Sequence, residues 1–225
     1  MIDNKTVLAI IPARGGSKRL PNKNILLFEN QPLICQSIEA SNQSKYIDFT
    51  LVSTDNQKIL ETSKKCGAHV NGIRPENLST DDTSTYSVIE YEINSLDKNY
   101  DIIVLLQPTS PLRTCVHIDH ALELMNGNKT SSVVSIVEAK HPKEWMFSLD
   151  DNMKIIRDKH EQHTRYPKSY HLNGAIYASN TLEYLKKKTF INNDTSVFIM
   201  EPEYSIDIDT KLDFFIALKI KEDFN

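Results

Sequence analysis

Long hydrophobic runs, closely spaced cysteines and an excess of positive charge are all missing from this chain, and each absence removes a class of protein. No apolar stretch approaches the ~18 residues of a membrane-spanning helix, so no membrane partner is expected. The three cysteines, Cys35, Cys66 and Cys115, are odd in number and far apart. They fit neither a disulfide framework nor a CxxC metal site, and the expectation is that they are reduced and mostly buried. With 26 Lys and Arg against 30 Asp and Glu, the net charge of −4 argues against a nucleic-acid binder. No signal-peptide hydrophobic region follows Met1, so a cytoplasmic location is expected. GxGxxG and GxxxxGK[ST] are absent too, which withdraws support from hydride-transfer and P-loop chemistry.

What is present is concentrated near the N-terminus. An apolar, β-branched run over residues 7–11 meets Pro12, then Gly15 and Gly16, with Arg14, Lys18, Arg19 and Lys23 close by. A strand running into a glycine-containing, cationic loop has the chemistry of a phosphate cradle, because backbone N–H groups can turn toward an anion while the cations neutralise it. The bland alternative is a solvated turn.

Further along, strand and helix patterns alternate. Residues 33–44 read as a helix and 49–53 as a strand; Ile59 and Cys66 mark the inner face of a helix closed by Gly67. Ile89, Ile93 and Leu96 carry helical spacing, as do Ile118, Leu122 and Met125, and each set precedes an apolar strand, at 102–106 and 132–137. The order predicts an α/β fold, a doubly wound, mostly parallel sheet in one domain over residues 1–225, with ligands beyond the carboxyl ends of the strands. Arg14, Asp55 and Gln107 follow such ends. Residues 140–171 break the pattern and read as a β-hairpin with a long loop, either a lid or an arm toward a partner subunit, with Trp145 packing it.

Asp207 and Asp209 are two residues apart, and in an extended segment both carboxylates share a face. Beside a cationic phosphate loop, that pair suits Mg²⁺, which binds through one or two carboxylates plus phosphate oxygens. Alternatively Asp209 caps the next helix and Asp207 is solvated. In the loop 74–85, Arg74 and the hydroxyls can hydrogen-bond a base and ribose, or Thr83 or Ser84 simply caps a helix. Two prolines stiffen the turn after residue 106 and offer Gln107 to the pocket. His117 and His120, one helical turn apart, lack further zinc ligands and read as surface residues.

The motifs IPARGGSK, PNKN, RPENLSTDDTST, LLQPTSPLR, NGAIY and SIDIDT occur in that order over nearly the whole chain. In this the chain resembles the CMP-sialic acid synthetase (acylneuraminate cytidylyltransferase) family, including legionaminic acid cytidylyltransferases. The resemblance implies a nucleotide-diphospho-sugar transferase fold and a homodimer with an exchanged hairpin arm. It implies that CTP reacts with a nonulosonic acid, a nine-carbon 2-keto sugar acid, with Mg²⁺ required and pyrophosphate released. By the same resemblance, Arg14, Lys18, Lys23 and Asn24 fall on nucleotide and phosphate positions, and Arg74, Thr83 and Thr85 on cytosine and ribose positions. Gln107 and Tyr177 fall on the sugar side, and Phe190 where a partner subunit's aromatic closes the sugar pocket. Asp207 and Asp209 match the metal pair and, with Arg14 and Lys23, form the expected catalytic set.

Arg19 departs from the glycine common after the loop lysine in sialic acid enzymes, and Arg19-Leu20-Pro21 resembles the related Kdo cytidylyltransferases. Arg165 sits where the family reads the sugar and can bind a carboxylate bidentately, or else form a surface salt bridge. The alternatives kept open are a CMP-Kdo-type synthetase and a non-catalytic nucleotide-binding protein.

Overall fold

Six runs rich in β-branched and aliphatic residues become the strands of one sheet. They are β1 (Val7–Pro12), β2 (Phe49–Ser53), β3 (Ile102–Leu105), β4 (Ser132–Glu138), β5 (Tyr170–Asn180) and β6 (Thr195–Ile199), in spatial order β6-β4-β5-β3-β1-β2. The computed structural model describes residues 1–156 and 168–224. β1 pairs in parallel with β2 and β3, and β6 with β4, as expected for strands joined by helical crossovers. β5 runs antiparallel to both β3 and β4. The physical reason lies in the connection: between β4 and β5 the described residues form a turn at Lys143–Trp145 and a two-stranded hairpin, Ser148–Leu149 with Ile155–Ile156, instead of a crossover helix.

The helices are α1 (Leu33–Asn42), α2 (Gln57–Lys65), α3 (Thr85–Asn94), α4 (Cys115–Gly127), α5 (Thr181–Lys187) and α6 (Lys211–Asp223). Both sheet faces are covered, and the period of two along β1 divides its residues between two cores. Val7, Ala9 and Ile11 pack with Ile34 and Ile38 of α1 and Ile118 and Leu122 of α4. Leu8 and Ile10 pack with Ile89 of α3, Tyr184 of α5 and Phe190. Burying such side chains is worth about 1.5–3 kcal/mol each. A smaller cluster of Phe28, Leu33, Leu112, Ile208 and Ala217 seats α6 behind the segment that carries the two aspartates. No helix among the described residues is long and apolar enough to cross a membrane.

Three expectations are corrected by packing. α1 and α2 lie side by side and bring Cys35 and Cys66 together in a disulfide, with Cα atoms 5.6 Å apart, so these two cysteines are not reduced thiols. Cys115 is free. His117 is no surface residue: its ring caps α4 by accepting from the Thr114 amide at 3.1 Å and packs 4.6 Å from Tyr204. Trp145 is 58% exposed, with its ring stacked on His141, so it is not buried as a hairpin core residue would be.

The disulfide closes a loop with a sequence separation of 31, so opening it is expected to reduce stability by up to roughly 3–4 kcal/mol through the entropy regained by the unfolded chain. Denaturant melts with and without reductant, alongside Cys66→Ser, measure this. A midpoint indifferent to reductant would show that helix packing alone holds the two helices.

Candidate functional site

The loop after β1 is held open by its neighbours. The Gly15 amide donates to Asp55 Oδ1 at 2.7 Å, just past the end of β2. A Cβ on Gly15 would fall 2.7 Å from Asn56 Nδ2 and 2.9 Å from Asn56 Cβ, so no larger residue fits there without moving the start of α2. That asparagine also caps α2, accepting from the Lys58 and Ile59 amides. Asn24 is buried, and its Nδ2 donates to the Arg14 carbonyl at 3.0 Å. Asn24 therefore shapes the loop from behind.

The loop cations converge on two carboxylates. Arg14 Nη1 meets Asp81 Oδ1 at 2.6 Å, and Lys18 pairs with the other oxygen of Asp81. Arg19 Nη1 lies 3.0 Å and Lys23 Nζ 3.3 Å from Asp209, while Lys23 also donates to the Ile208 carbonyl at 2.6 Å. Hydrogen bonds from Lys18 and then Arg14 hold the Asp81 carboxyl below its usual range. An anion entering the loop must take these cations from Asp81. Asp81→Asn is expected to tighten binding of a polyphosphate anion roughly two- to fivefold, a modest gain because the pairs are exposed. Calorimetric titration checks this; weaker binding would mean that Asp81 supports the loop instead of competing with the anion.

A cleft of about 530 Å³ opens beyond the carboxyl ends of β1, β2 and β3. Arg14, Lys18, Lys23 and Asn24 line one part of it, and Arg74, Thr83 and Thr85 another. Gln107 and Asp209 complete the predicted residues on its wall. Arg74 is buried, its Nη1 donating to the Ser53 hydroxyl at 3.1 Å and its Nε to the Ser79 hydroxyl at 3.3 Å. Burial lowers its pKa, opposed by the charges of Asp55 and Glu92. Glu92 is itself buried on α3, and loss of water raises its carboxyl. Capping and pocket roles separate cleanly here: Ser84 caps α3, whereas Thr83 shares a 2.9 Å hydrogen bond with Thr80 inside the loop.

The helix after the aspartates is capped by Thr210 with Asp213, which leaves Asp209 free of that task. Ile208 is buried in the α6 cluster while its neighbours are not, so both carboxylates lie on the outer side of the segment, as their spacing predicts. Asp207 and Tyr177 are not on the cleft wall; they gather around Gly174. Gly174 has φ of 77°, and a Cβ there would come 3.1 Å from Gln107 Oε1 and 3.7 Å from Asp207 Cγ. Partial loss of hydration raises the Asp207 carboxyl, against a hydrogen bond from the Thr109 hydroxyl, and the charge of Asp209 adds to the rise. The Tyr177 phenol is raised by burial and by the charge of Asp207.

Phe190 is 7% exposed, with its ring 4.4 Å from Tyr184 and 5.7 Å from Tyr177, so within its own chain it packs in the core beside the sugar-side Tyr177. Arg165 lies outside the described residues. Sequence reasoning assigned no task to Asp81, Thr109 or Arg113, although all three stand inside quoted motifs; their roles depend on partners that spacing does not reveal. Asp55 carried one signal, its place just after a strand end.

The chain is 36% identical over 220 residues to the N-acylneuraminate cytidylyltransferase of Escherichia coli O18:K1:H7, covering 96% of this chain and 52% of that protein. It thus spans about half the length of that relative. It is 34% identical to the CMP-N,N'-diacetyllegionaminic acid synthase of Legionella pneumophila, covering 96% of each. In structure it is similar to a CMP:2-keto-3-deoxy-manno-octonic acid synthetase complexed with CTP, with a TM-score of 0.71 at 17% identity, over 96% of this chain and 99% of the other; at that identity the likeness is one of fold. The family model described as Cytidylyltransferase matches residues 8–225, a span that holds the cationic loop, the cleft and both aspartates, and the chain belongs to the cytidylyltransferase family.

Proposed function

We propose that the chain joins CTP to a nonulosonic acid, of the N-acetylneuraminic or legionaminic type, giving the CMP-sugar and pyrophosphate. One observation carries the reading: Arg14, Lys18 and Lys23 share a single cleft with Asp209, with Asp207 and Gln107 at its edge around Gly174. The sugar's anomeric hydroxyl oxygen attacks the α-phosphorus as the bond to the β-phosphate's bridging oxygen breaks, and the electron pair leaves with pyrophosphate. The hydroxyl proton passes to solvent. No covalent nucleophile is needed, so the protein's work is positioning and charge neutralisation.

Arg14 and Lys18 hold the β- and γ-phosphates once Asp81 gives them up. Lys23, anchored on the Ile208 carbonyl, faces the α-phosphate beside Asp209. Arg74, Thr83 and Thr85 take the cytosine and ribose. Gln107 and Tyr177 take the sugar acid, with Arg165 assigned to its carboxylate.

Asp207 and Asp209 would hold Mg²⁺. Their donors fit: they are hard oxygens, the groove before Asp207 is kept clear by a glycine, and a two-carboxylate site that shares substrate phosphate oxygens is usual for this ion. When bound, the ion would neutralise the α-phosphate and acidify the attacking hydroxyl.

A homodimer belongs to the same proposal. Trp145, Met146, Phe147, Leu149, Ile155 and Ile156 on the hairpin arm are each at least 50% exposed, a patch suited to a second copy of the chain. CTP is an intracellular substrate, so we place the reaction in the cytoplasm.

Pyrophosphate release from CTP and Mg²⁺, with N-acetylneuraminic, legionaminic, pseudaminic and Kdo acids offered separately, tests the reading. Release with one of the first three supports it and names the sugar. Release with Kdo alone would move the chain to the other branch, and CTP binding without release from any sugar would leave a nucleotide-binding protein.

A further inference from the structure

Arg113 ends the turn that carries Gln107, and nothing in the reaction scheme uses it. It is 2% exposed, and its only partners among the described residues are main-chain carbonyls: Nη1 donates to Gln107 O at 3.3 Å and to Ala175 O at 3.0 Å. Nε and Nη2 have no partner, and no carboxylate among the described residues pairs with the guanidinium. Burial pushes its pKa down to about 9, which still leaves it charged at neutral pH. A buried, unpaired cation is expensive, and an apolar residue of similar volume would be more stable in its place.

The two carbonyls show what the group does. Gln107 leaves the end of β3, and Ala175 follows Gly174 in β5, so one nitrogen ties together the backs of two segments whose fronts form the sugar side. The same turn carries Thr109, whose carbonyl accepts the Ile208 amide at 2.8 Å and whose hydroxyl donates to Gln107 Oε1 at 3.5 Å. The cationic loop that takes the triphosphate hangs from β1 and rests on Asp55 and Asn24, and among the described residues no hydrogen bond joins it to Arg113. Its link to the turn, through Lys23 on the Ile208 carbonyl and the Ile208 amide on Thr109, is indirect, whereas Arg113 bonds the sugar-side segments directly.

We infer that Arg113 is a positioning residue for the sugar-acid half of the site, its buried guanidinium setting the spacing between the strand ends that present Gln107 and Tyr177. The inference rests on the proposed function and deepens it. A lysine keeps the charge, but its stem is shorter and its ammonium falls short of the Nη1 position that bonds both carbonyls. Arg113→Lys is expected to raise KM for the sugar acid roughly tenfold to a hundredfold while KM for CTP stays within about twofold.

A general loss of packing would move both constants, so the split is the decisive readout. Coupling gives a second: in a background of Gln107→Ala, Arg113→Lys should add little to the sugar KM, since the group it positions is gone. Equal changes in both KM values, no change in either, or full additivity with Gln107→Ala would each overturn the inference. A wild-type protein silent with every sugar acid would instead overturn the underlying function, which keeps the two failures apart.

Discussion

Asp209→Ala is expected to lower pyrophosphate release about 10²–10³-fold, the size of effect seen when one preorganised charge contact to a transition state is removed. Asp209 stands between Arg19 at 3.0 Å and Lys23 at 3.3 Å. In the reaction it has a second task, as one of two carboxylates proposed to hold the cation on the α-phosphate. Removing it deletes that ligand and leaves two cations without their counter-charge beside the phosphates. CTP binding should therefore persist while turnover falls.

The sharper variant is Asp209→Asn, which keeps the shape and loses only the charge. Because Thr210 and Asp213 cap α6, neither change should unfold the helix, and the melting temperature serves as the control. An Asp209→Asn protein that turns over at the wild-type rate would exclude the carboxylate from the chemistry.

Lys23→Ala is expected to lower kcat/KM roughly 10²-fold, mainly through kcat. Its Nζ is mostly shielded, with the side chain 12% exposed, and it is held by the Ile208 carbonyl at 2.6 Å. Arg14, Lys18 and Arg19 are 39%, 78% and 71% exposed, so they lose more to solvent screening and are less sharply placed. A charge fixed at low exposure is preorganised, and its contribution is greatest where charge develops on the phosphate. Lys23→Arg should rescue poorly, since a planar fork cannot take the position of a compact ammonium bonded to a carbonyl. Steady-state kinetics with both substrates varied separates the outcomes; a loss confined to KM for CTP would reassign Lys23 to ground-state nucleotide binding.

Much of the site was legible because its chemistry is local. A strand that stops at Pro12 and the two glycines after it mark the loop in the sequence itself, although the room denied to a Cβ at Gly15 is set by Asn56 of a later segment. The two-residue spacing of Asp207 and Asp209 places both on one side, with Ile208 buried between them. The strands β1 to β4 were readable from their apolar runs, and the parallel pairing of β1 with β2 and β3 from the helices between them. The reversed direction of β5 was not, because it depends on a connection with no helix of its own. The burial of Phe190 against Tyr184 was not readable either, because it comes from how α5 returns to the sheet.

By itself, then, the sequence determined the α/β order, the cationic loop, the acidic pair and membership of a nucleotidyl-transferring family, since these depend on periodicity, on backbone preference and on residue types at short spacing. Tertiary structure decided the partners. Arg14 and Asp81 are 67 positions apart, Cys35 and Cys66 are 31 apart, and Arg113 reaches a carbonyl 62 positions away. Such pairings arise only when the sheet brings particular strand ends together, because a side chain's charge or length limits what it can bind, and the packed backbone determines what lies within reach.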